Sequence, residues 1–270
     1  MAAVTVDGAG VEIAAEVTTG DGTPVVFIHG NSASGATWRH QLDGELGTTN
    51  RCIALDLPGH GASGRFDGAE GYSLRSYARG VAEVTSALCD EAPVLVGWSL
   101  GGHIALEALT VIQSVRGVMI FGTPPLGMPP DMEQAFLPHP AMGVGFMPDV
   151  GDEEAAAYAT SFLAPDSPLA IDTFTPDILA TDGNARAGLY GSIGAGEFSD
   201  ELEIVAAMSA PLAIVHGARE QLVAGDYLAR VKAPTLWRGS VQVIDEAGHA
   251  PHHETVAAFN DLLASFLSEV

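Results

Sequence analysis

Val94-Leu95-Val96-Gly97-Trp98-Ser99-Leu100-Gly101-Gly102-His103-Ile104-Ala105-Leu106 reads as a short apolar strand, a sharp turn that carries a serine, and the start of a helix. Such a turn is a nucleophile elbow. It forces the serine into strained backbone angles, and the glycines on either side remove Cβ atoms that would collide with strand and helix. Ser99 Oγ is thereby held above the sheet. The backbone N–H of Leu100, at the helix start, points where negative charge would grow on an attacked carbonyl.

The flanking sequence repeats the strand–helix theme. Val25–Ile28, Ile53–Leu55, Val94–Val96, Val118–Phe121, Leu212–Val215 and Val241–Ile244 are short, mostly apolar runs of the kind found in parallel strands covered on both faces. Val4–Val6 and Val11–Val17 alternate with polar residues instead, which predicts an N-terminal antiparallel hairpin with one wet face. Helical spacing marks Thr37–Leu46, Ser73–Cys89 with Ser73 as N-cap, the stretch after Ser99, and Glu254–Leu267. The alternation predicts a mostly parallel, doubly wound α/β sheet with ligands at the carboxyl ends of its strands. Between two core strands, residues 124–205 are rich in Pro, Gly, Met and acidic residues, with helical patches such as Glu153–Leu163. Met128, Phe136, Leu137, Met142, Phe146, Met147, Tyr158 and Phe162 give this segment too much apolar surface for a solvated linker. The expected organisation is a core, first part, over residues 1–123, an inserted helical cap over 124–205, and a core, second part, over 206–270.

With 270 residues and 47% hydrophobic content the chain can bury a sizeable core. Thirty-four acidic residues against 11 basic ones give a formal charge of −23. That surface repels nucleic acid and anionic membranes, so neither is expected as a partner; adaptation to salt and simple solubility both fit it. A basic N-terminal segment leading into an apolar stretch is absent, and no run approaches the ~20 apolar residues of a membrane span, so a cytoplasmic location is the default expectation. A monomer or weak homo-oligomer is expected. Cys52 and Cys89 lack a CxxC spacing and are read as two buried thiols.

A serine at its ordinary pKa needs a base and an orienting acid. Gly248-His249-Ala250-Pro251 follows the last predicted strand, at the same end of the sheet as the elbow, which makes His249 the candidate general base. His252 and His253 begin a helix and are read as capping it or facing solvent. A metal cluster of His249, His252 and His253 lacks any strong ligand motif, and neither metal nor cofactor is expected. After the preceding strand the chain reads His216-Gly217-Ala218-Arg219-Glu220, so Glu220 is the candidate acid and Asp226 the reserve. A second oxyanion donor is expected from the N–H of Asn31, in His29-Gly30-Asn31-Ser32. Asn31 could also turn its side chain to substrate or simply form a turn, while His29 is read as pinning that loop. Asp56 to Ser63 is read as a rigid support.

His29-Gly30, Asp56 to Ser63, Gly97 to Gly102 and Gly248-His249 together resemble the α/β-hydrolase superfamily over the whole core. Within it the spelling is similar to the α/β-hydrolase-fold N-acyl homoserine lactonases, which degrade bacterial quorum signals. The stretches that carry this likeness are His29 to Gly35, Gly97 to Ile104, Phe121-Gly122-Thr123-Pro124-Pro125 and Thr181 to Arg186. The resemblance implies a serine hydrolase that opens the lactone ring through an acyl-enzyme, with a Glu as triad acid, which supports Glu220. It also implies that Tyr158, which precedes Ala159 in the cap, hydrogen-bonds the substrate. Trp98, Phe136 and Met142 are the further candidate substrate contacts. The expected ligand is a small neutral ester or lactone. A carboxylesterase for small acyclic or aromatic esters needs the same triad, and a ligand receptor on the hydrolase fold is the alternative from another class. Dehalogenase and epoxide hydrolase chemistry needs a carboxylate where Ser99 stands.

Overall fold

The computed structural model describes residues 1–270. Its centre is one eight-stranded sheet of β1 (Ala2–Gly8), β2 (Val11–Val17), β3 (Gly22–Ile28), β4 (Asn50–Leu55), β5 (Val94–Trp98), β6 (Gly117–Phe121), β7 (Leu212–Gly217) and β8 (Gln242–Ile244). The spatial order is β1-β2-β4-β3-β5-β6-β7-β8. β1 pairs with β2, and β2 with β4, antiparallel; every later pairing is parallel. The β1–β2 turn places Ala9 at φ 53° and Gly10 at φ 92°, the positive pair that matches a tight hairpin to strand twist.

Residues of β3 alternate between two cores. Val26 and Ile28 join Leu55, Leu95 and Ile104 on one face, while Val25 and Phe27 join Val96, Trp98 and Phe121 on the other. Side chains of period two on a sheet covered by helices make both sets apolar, hence the unbroken runs in the sequence. The helix Leu74–Leu88 starts at a capping box in which Ser73 and Ser76 satisfy each other's backbone N–H.

Two expected helices are interrupted. Thr37–Leu46 is split into a 3₁₀ turn Gly35–Trp38 and short helices Arg39–Leu42 and Glu45–Thr49, because the chain leaves the helical region at Gly44. Glu254–Leu267 begins instead at Val256, after a separate turn Pro251–Glu254; the chain kinks at Thr255, and the Glu254 carboxylate accepts N–H bonds from Gly248 and Ala164. Cys89 is only partly buried, because it lies at the C-terminal end of the Leu74–Leu88 helix, whereas Cys52 is a core residue of β4; both are free thiols.

Residues 124–205, the segment read as the cap, hold helices and turns but no strand, and their Phe136, Met142, Phe146 and Tyr158 line one cavity with Ser99 and His249. Polar bonds fasten it to the core. Tyr72 donates to Asp182, Ser34 to Asp177, and the Arg186 guanidinium to Ser32 Oγ, while its bonds to the carbonyls of Met147, Pro148 and Ile178 stay within the segment. No helix is long and apolar enough to cross a membrane.

His252 and His253 do not face solvent as expected. Both are buried, sharing the hydroxyl of Thr37, with His252 wedged among Trp38, Trp98 and Phe121. His29 and His60 are likewise interior. His29 Nε2 accepts the Leu57 N–H at 2.9 Å, which pins the loop after β3 to the loop after β4. Burial lowers His29 and His253 to about 4 and His60 to about 3, from an ordinary 6.5. These rings are neutral in the folded chain, while the unfolded chain takes up their protons below 6.5. Their contribution is therefore full above pH 6.5 and is lost as pH falls toward 4. Urea unfolding followed from pH 7 to pH 4.5 is expected to show stability dropping below 6.5, by at most about 1.4 kcal/mol per pH unit for each histidine. A flat profile over that window contradicts the neutral, buried assignment.

Candidate active site

Ser99 has φ 54° and ψ −119°, a conformation an L-residue holds only under constraint. The constraint is visible: its N–H donates to the Phe121 carbonyl, and its carbonyl accepts from Gly102 N–H and Thr123 Oγ1. Around it the chain has no room for side chains. A Cβ on Gly97 would strike the Gly101 carbonyl, one on Gly101 the carbonyls of Ile28 and His29, and one on Gly102 the Thr123 hydroxyl. The elbow glycines thus permit β5, the helix Leu100–Ala108 and the end of β3 to meet. At that meeting point the N–H groups of Asn31 and Leu100 have no acceptor within the protein. The Asn31 side chain is turned away from substrate space: its amide donates to the Gly145 carbonyl in the cap at 2.6 Å, and its oxygen accepts from Ser32 Oγ.

Glu220 and His249 arrive from the loops after β7 and β8. Glu220 Oε2 lies 2.8 Å from His249 Nδ1, and both side chains are 2% exposed. The other carboxylate oxygen accepts the N–H groups of Gln221 and Leu222. Burial pushes the Glu220 carboxyl up, but His249 and the backbone N–H of Leu222 outweigh it and hold the group below its usual range. With Nδ1 committed to a carboxylate, the lone pair of His249 is on Nε2, which has no protein partner. Asp226, the reserve acid, is exposed and makes no bond to His249.

Ser99, His249 and Asn31 line a cavity of about 110 Å³ under the cap, and 12 of its 16 lining residues are hydrophobic. A single water needs only about 10–15 Å³ by the same measure, so a chain of several carbons fits. Tyr158, Phe136, Met142 and Leu100 line it as well. Burial raises the Tyr158 phenol, which stays a neutral donor. Trp98 does not reach this space. As the last residue of β5 it points to the opposite core, and its Nε1 donates to the His249 carbonyl at 2.8 Å. Its place is beneath the histidine, holding backbone. Sequence reasoning passed over His103, Leu126, Phe198 and Leu222, which also line the cavity. His103 was legible in principle, four residues and one helical turn after Ser99. Leu126 and Phe198 depend on how the cap folds, and Leu222 on the course of the loop after β7.

Two substitutions test this geometry. Gly122 has φ 61°, and a Cβ there would lie 2.6 Å from His249 Cε1. Gly122→Ala is expected to displace the imidazole and lower kcat about 100-fold with the fold retained by circular dichroism; wild-type turnover would refute the packing. Glu220→Gln removes the charge that fixes the tautomer and should cost about 10⁴-fold in kcat, whereas Asp226→Asn should be silent. The reverse pattern in steady-state kinetics would move the acid to Asp226.

The model of the alpha/beta hydrolase family matches residues 25–262. A solved structure of the N-acyl homoserine lactonase AidH, in a complex with N-hexanoyl homoserine lactone, superposes with a TM-score of 0.93 at 36% identity, covering 99% of this chain and 97% of that one. The pimeloyl-(acyl-carrier protein) methyl ester esterase of Xanthomonas campestris is 29% identical over 256 residues, 88% of this chain and 93% of the esterase. A non-heme chloroperoxidase of Burkholderia pyrrocinia is 26% identical over 219 residues, 75% of this chain and 76% of its own. An eight-stranded sheet, a strained serine elbow and a match over nearly the whole core agree: the chain belongs to the alpha/beta hydrolase family.

Proposed function

We propose that this protein is a serine hydrolase that opens the lactone ring of N-acyl homoserine lactones through an acyl-enzyme, without a metal. The observation that carries the reading is the mostly apolar cavity lined by Ser99 and His249, with Tyr158 also in its wall. The likeness to AidH supports it, since that lactonase is seen with N-hexanoyl homoserine lactone and with N-butanoyl homoserine.

In this mechanism His249 Nε2 takes the Ser99 proton as Oγ attacks the lactone carbonyl. Glu220 keeps the proton on Nδ1 and faces the imidazolium that forms. The N–H groups of Asn31 and Leu100 hold the tetrahedral oxyanion, each worth about 10²- to 10³-fold in rate. Collapse breaks the ring C–O bond, His249 returns its proton to the leaving oxygen, and the homoserine acyl group stays on Ser99. The leaving alcohol remains tethered and can close the ring again. Water deprotonated by His249 must therefore attack the acyl-enzyme faster than the alcohol returns. Tyr158 donates to the amide carbonyl, and Phe136 and Met142 cover the acyl chain.

A carboxylesterase on small acyclic or aromatic esters is the second reading, favoured by the identity to the Xanthomonas esterase. Ring opening of short- and long-chain N-acyl homoserine lactones, followed by chromatography beside p-nitrophenyl esters, separates the two. The expected result is a kcat/KM for lactones well above that for esters, with Ser99→Ala lowering it by about 10⁶-fold. Fast ester cleavage with inert lactones would make the protein a carboxylesterase. Turnover of neither, with lactones still binding, would favour a receptor.

A further inference from the structure

Of the polar residues that line the cavity, the proposed mechanism uses Ser99, His249, Tyr158 and the backbone N–H of Asn31 and leaves His103 unused. It stands on the helix Leu100–Ala108 one turn beyond Ser99, so both residues share a face. Its Nδ1 lies 2.9 Å from both oxygens of Glu201, whose side chain is 1% exposed. Glu201 Oε2 also accepts the Leu126 N–H at 2.7 Å. A buried carboxylate so placed accepts the Nδ1 proton and leaves the lone pair of the neutral ring on Nε2. Nε2 has no hydrogen-bond partner in the protein, and His103 lines the cavity together with Leu126, Met132 and Phe198.

A strap between helix and cap does not require this imidazole. One turn further along, buried Glu107 accepts bonds from the N–H and the hydroxyl of Ser199, which already ties the same corner. An acceptor held rigidly in an apolar wall is instead a reader of a hydrogen-bond donor. In an acyl homoserine lactone, about five bonds separate the attacked carbonyl from C3 of the acyl chain, and extended they cover roughly one helical pitch of ~5.4 Å. That is the offset between Ser99 and His103.

We propose that His103, oriented by Glu201, selects lactones whose acyl chain carries a hydroxyl at C3, over the unsubstituted chain and over a 3-oxo chain, whose oxygen has no proton to offer. The inference rests on the lactonase reading. A site whose polar group goes unpaired with the wrong substrate discriminates against that substrate, here by about tenfold for one neutral hydrogen bond.

The test is kcat/KM for 3-hydroxy, unsubstituted and 3-oxo lactones of one chain length, at mildly alkaline pH, with wild type, His103→Leu and His103→Gln. Wild type is expected to favour the 3-hydroxy lactone about tenfold; Leu should bring the ratio of 3-hydroxy to unsubstituted kcat/KM close to one, and Gln, which keeps an acceptor, should restore part of it. Glu201→Gln, which replaces one of the two acceptor oxygens by an NH2 donor and removes the charge that orients the ring, should also weaken the preference and serves if His103→Leu does not fold. All three lactones opened, with a ratio that His103→Leu leaves unchanged, would overturn the role of His103 while the lactonase reading stands. Wild type inert on all three lactones would overturn that reading and this inference with it.

Discussion

The bond between Glu220 and His249 is the interaction around which the site is organised. Both side chains are almost wholly removed from water, and a buried carboxylate costs several kcal/mol unless its lone pairs are occupied. Here they are occupied: one oxygen takes the imidazole, the other two successive backbone N–H groups. That requirement dictates much of the surroundings. The β7 loop must curl to present the amides of Gln221 and Leu222, and the β8 loop must bring His249 over the elbow. Gly122 must lack a side chain where the ring lies. Trp98 then secures the histidine from below by donating to its carbonyl, and Ala250 N–H secures the next residue by donating to Phe162 in the cap.

The second constraint is steric. Ser99 keeps a positive φ only because the carbonyls and hydroxyls around it leave no other path, and the same closeness excludes every Cβ at Gly97, Gly101 and Gly102. Strain held by the surrounding structure is stable where a strained residue alone would relax. The result is two backbone N–H groups without a protein acceptor, the candidate oxyanion donors, one fixed by the elbow and the other by the loop after β3. That second loop is not independent of the cap. Arg186 holds Ser32, Ser32 holds Asn31, and Asn31 holds the Gly145 carbonyl. One continuous set of hydrogen bonds therefore runs from the cap to the position of a candidate oxyanion donor.

Legibility in the sequence followed the range of the forces involved. The strands, the elbow and the order Ser99, Glu220, His249 were readable because local rules write them: apolar runs for covered strands, glycines for a tight turn, loop position for the acid and base. Glu220 could be preferred over Asp226 from position alone, and the geometry places only Glu220 against the imidazole. Failures came where tertiary packing overrides local pattern. Trp98 adjoins the serine in sequence, yet strand alternation sends it to the other face of the sheet. His252 and His253 sit at the start of a helix, normally an exposed place, but the kink at Thr255 folds them inward to Thr37. The Asn31 amide could be assigned to turn, substrate or neighbour only once the cap was in position.

The division of labour between core and cap follows from these bonds. Every group that carries proton or charge in the proposed reaction follows a strand end, and around these groups Gly97, Gly101, Gly102 and Gly122 leave no room for a Cβ. A core so constrained can hardly encode preference among esters, since each ester presents it with the same carbonyl. Discrimination must come from surfaces that meet the rest of the substrate, and these belong to the cap residues Phe136, Met142 and Tyr158 and to the stretch of elbow helix that faces them. That helix is shared property: its first residue carries the candidate oxyanion N–H, and one turn later it lines the cavity. A change in the cap that shifts Glu201 or Gly145 is therefore transmitted to residues adjoining the reacting carbonyl by hydrogen bonds already in place. Substrate choice and catalytic geometry are mechanically joined in this fold at two points, the Asn31 amide and the elbow helix.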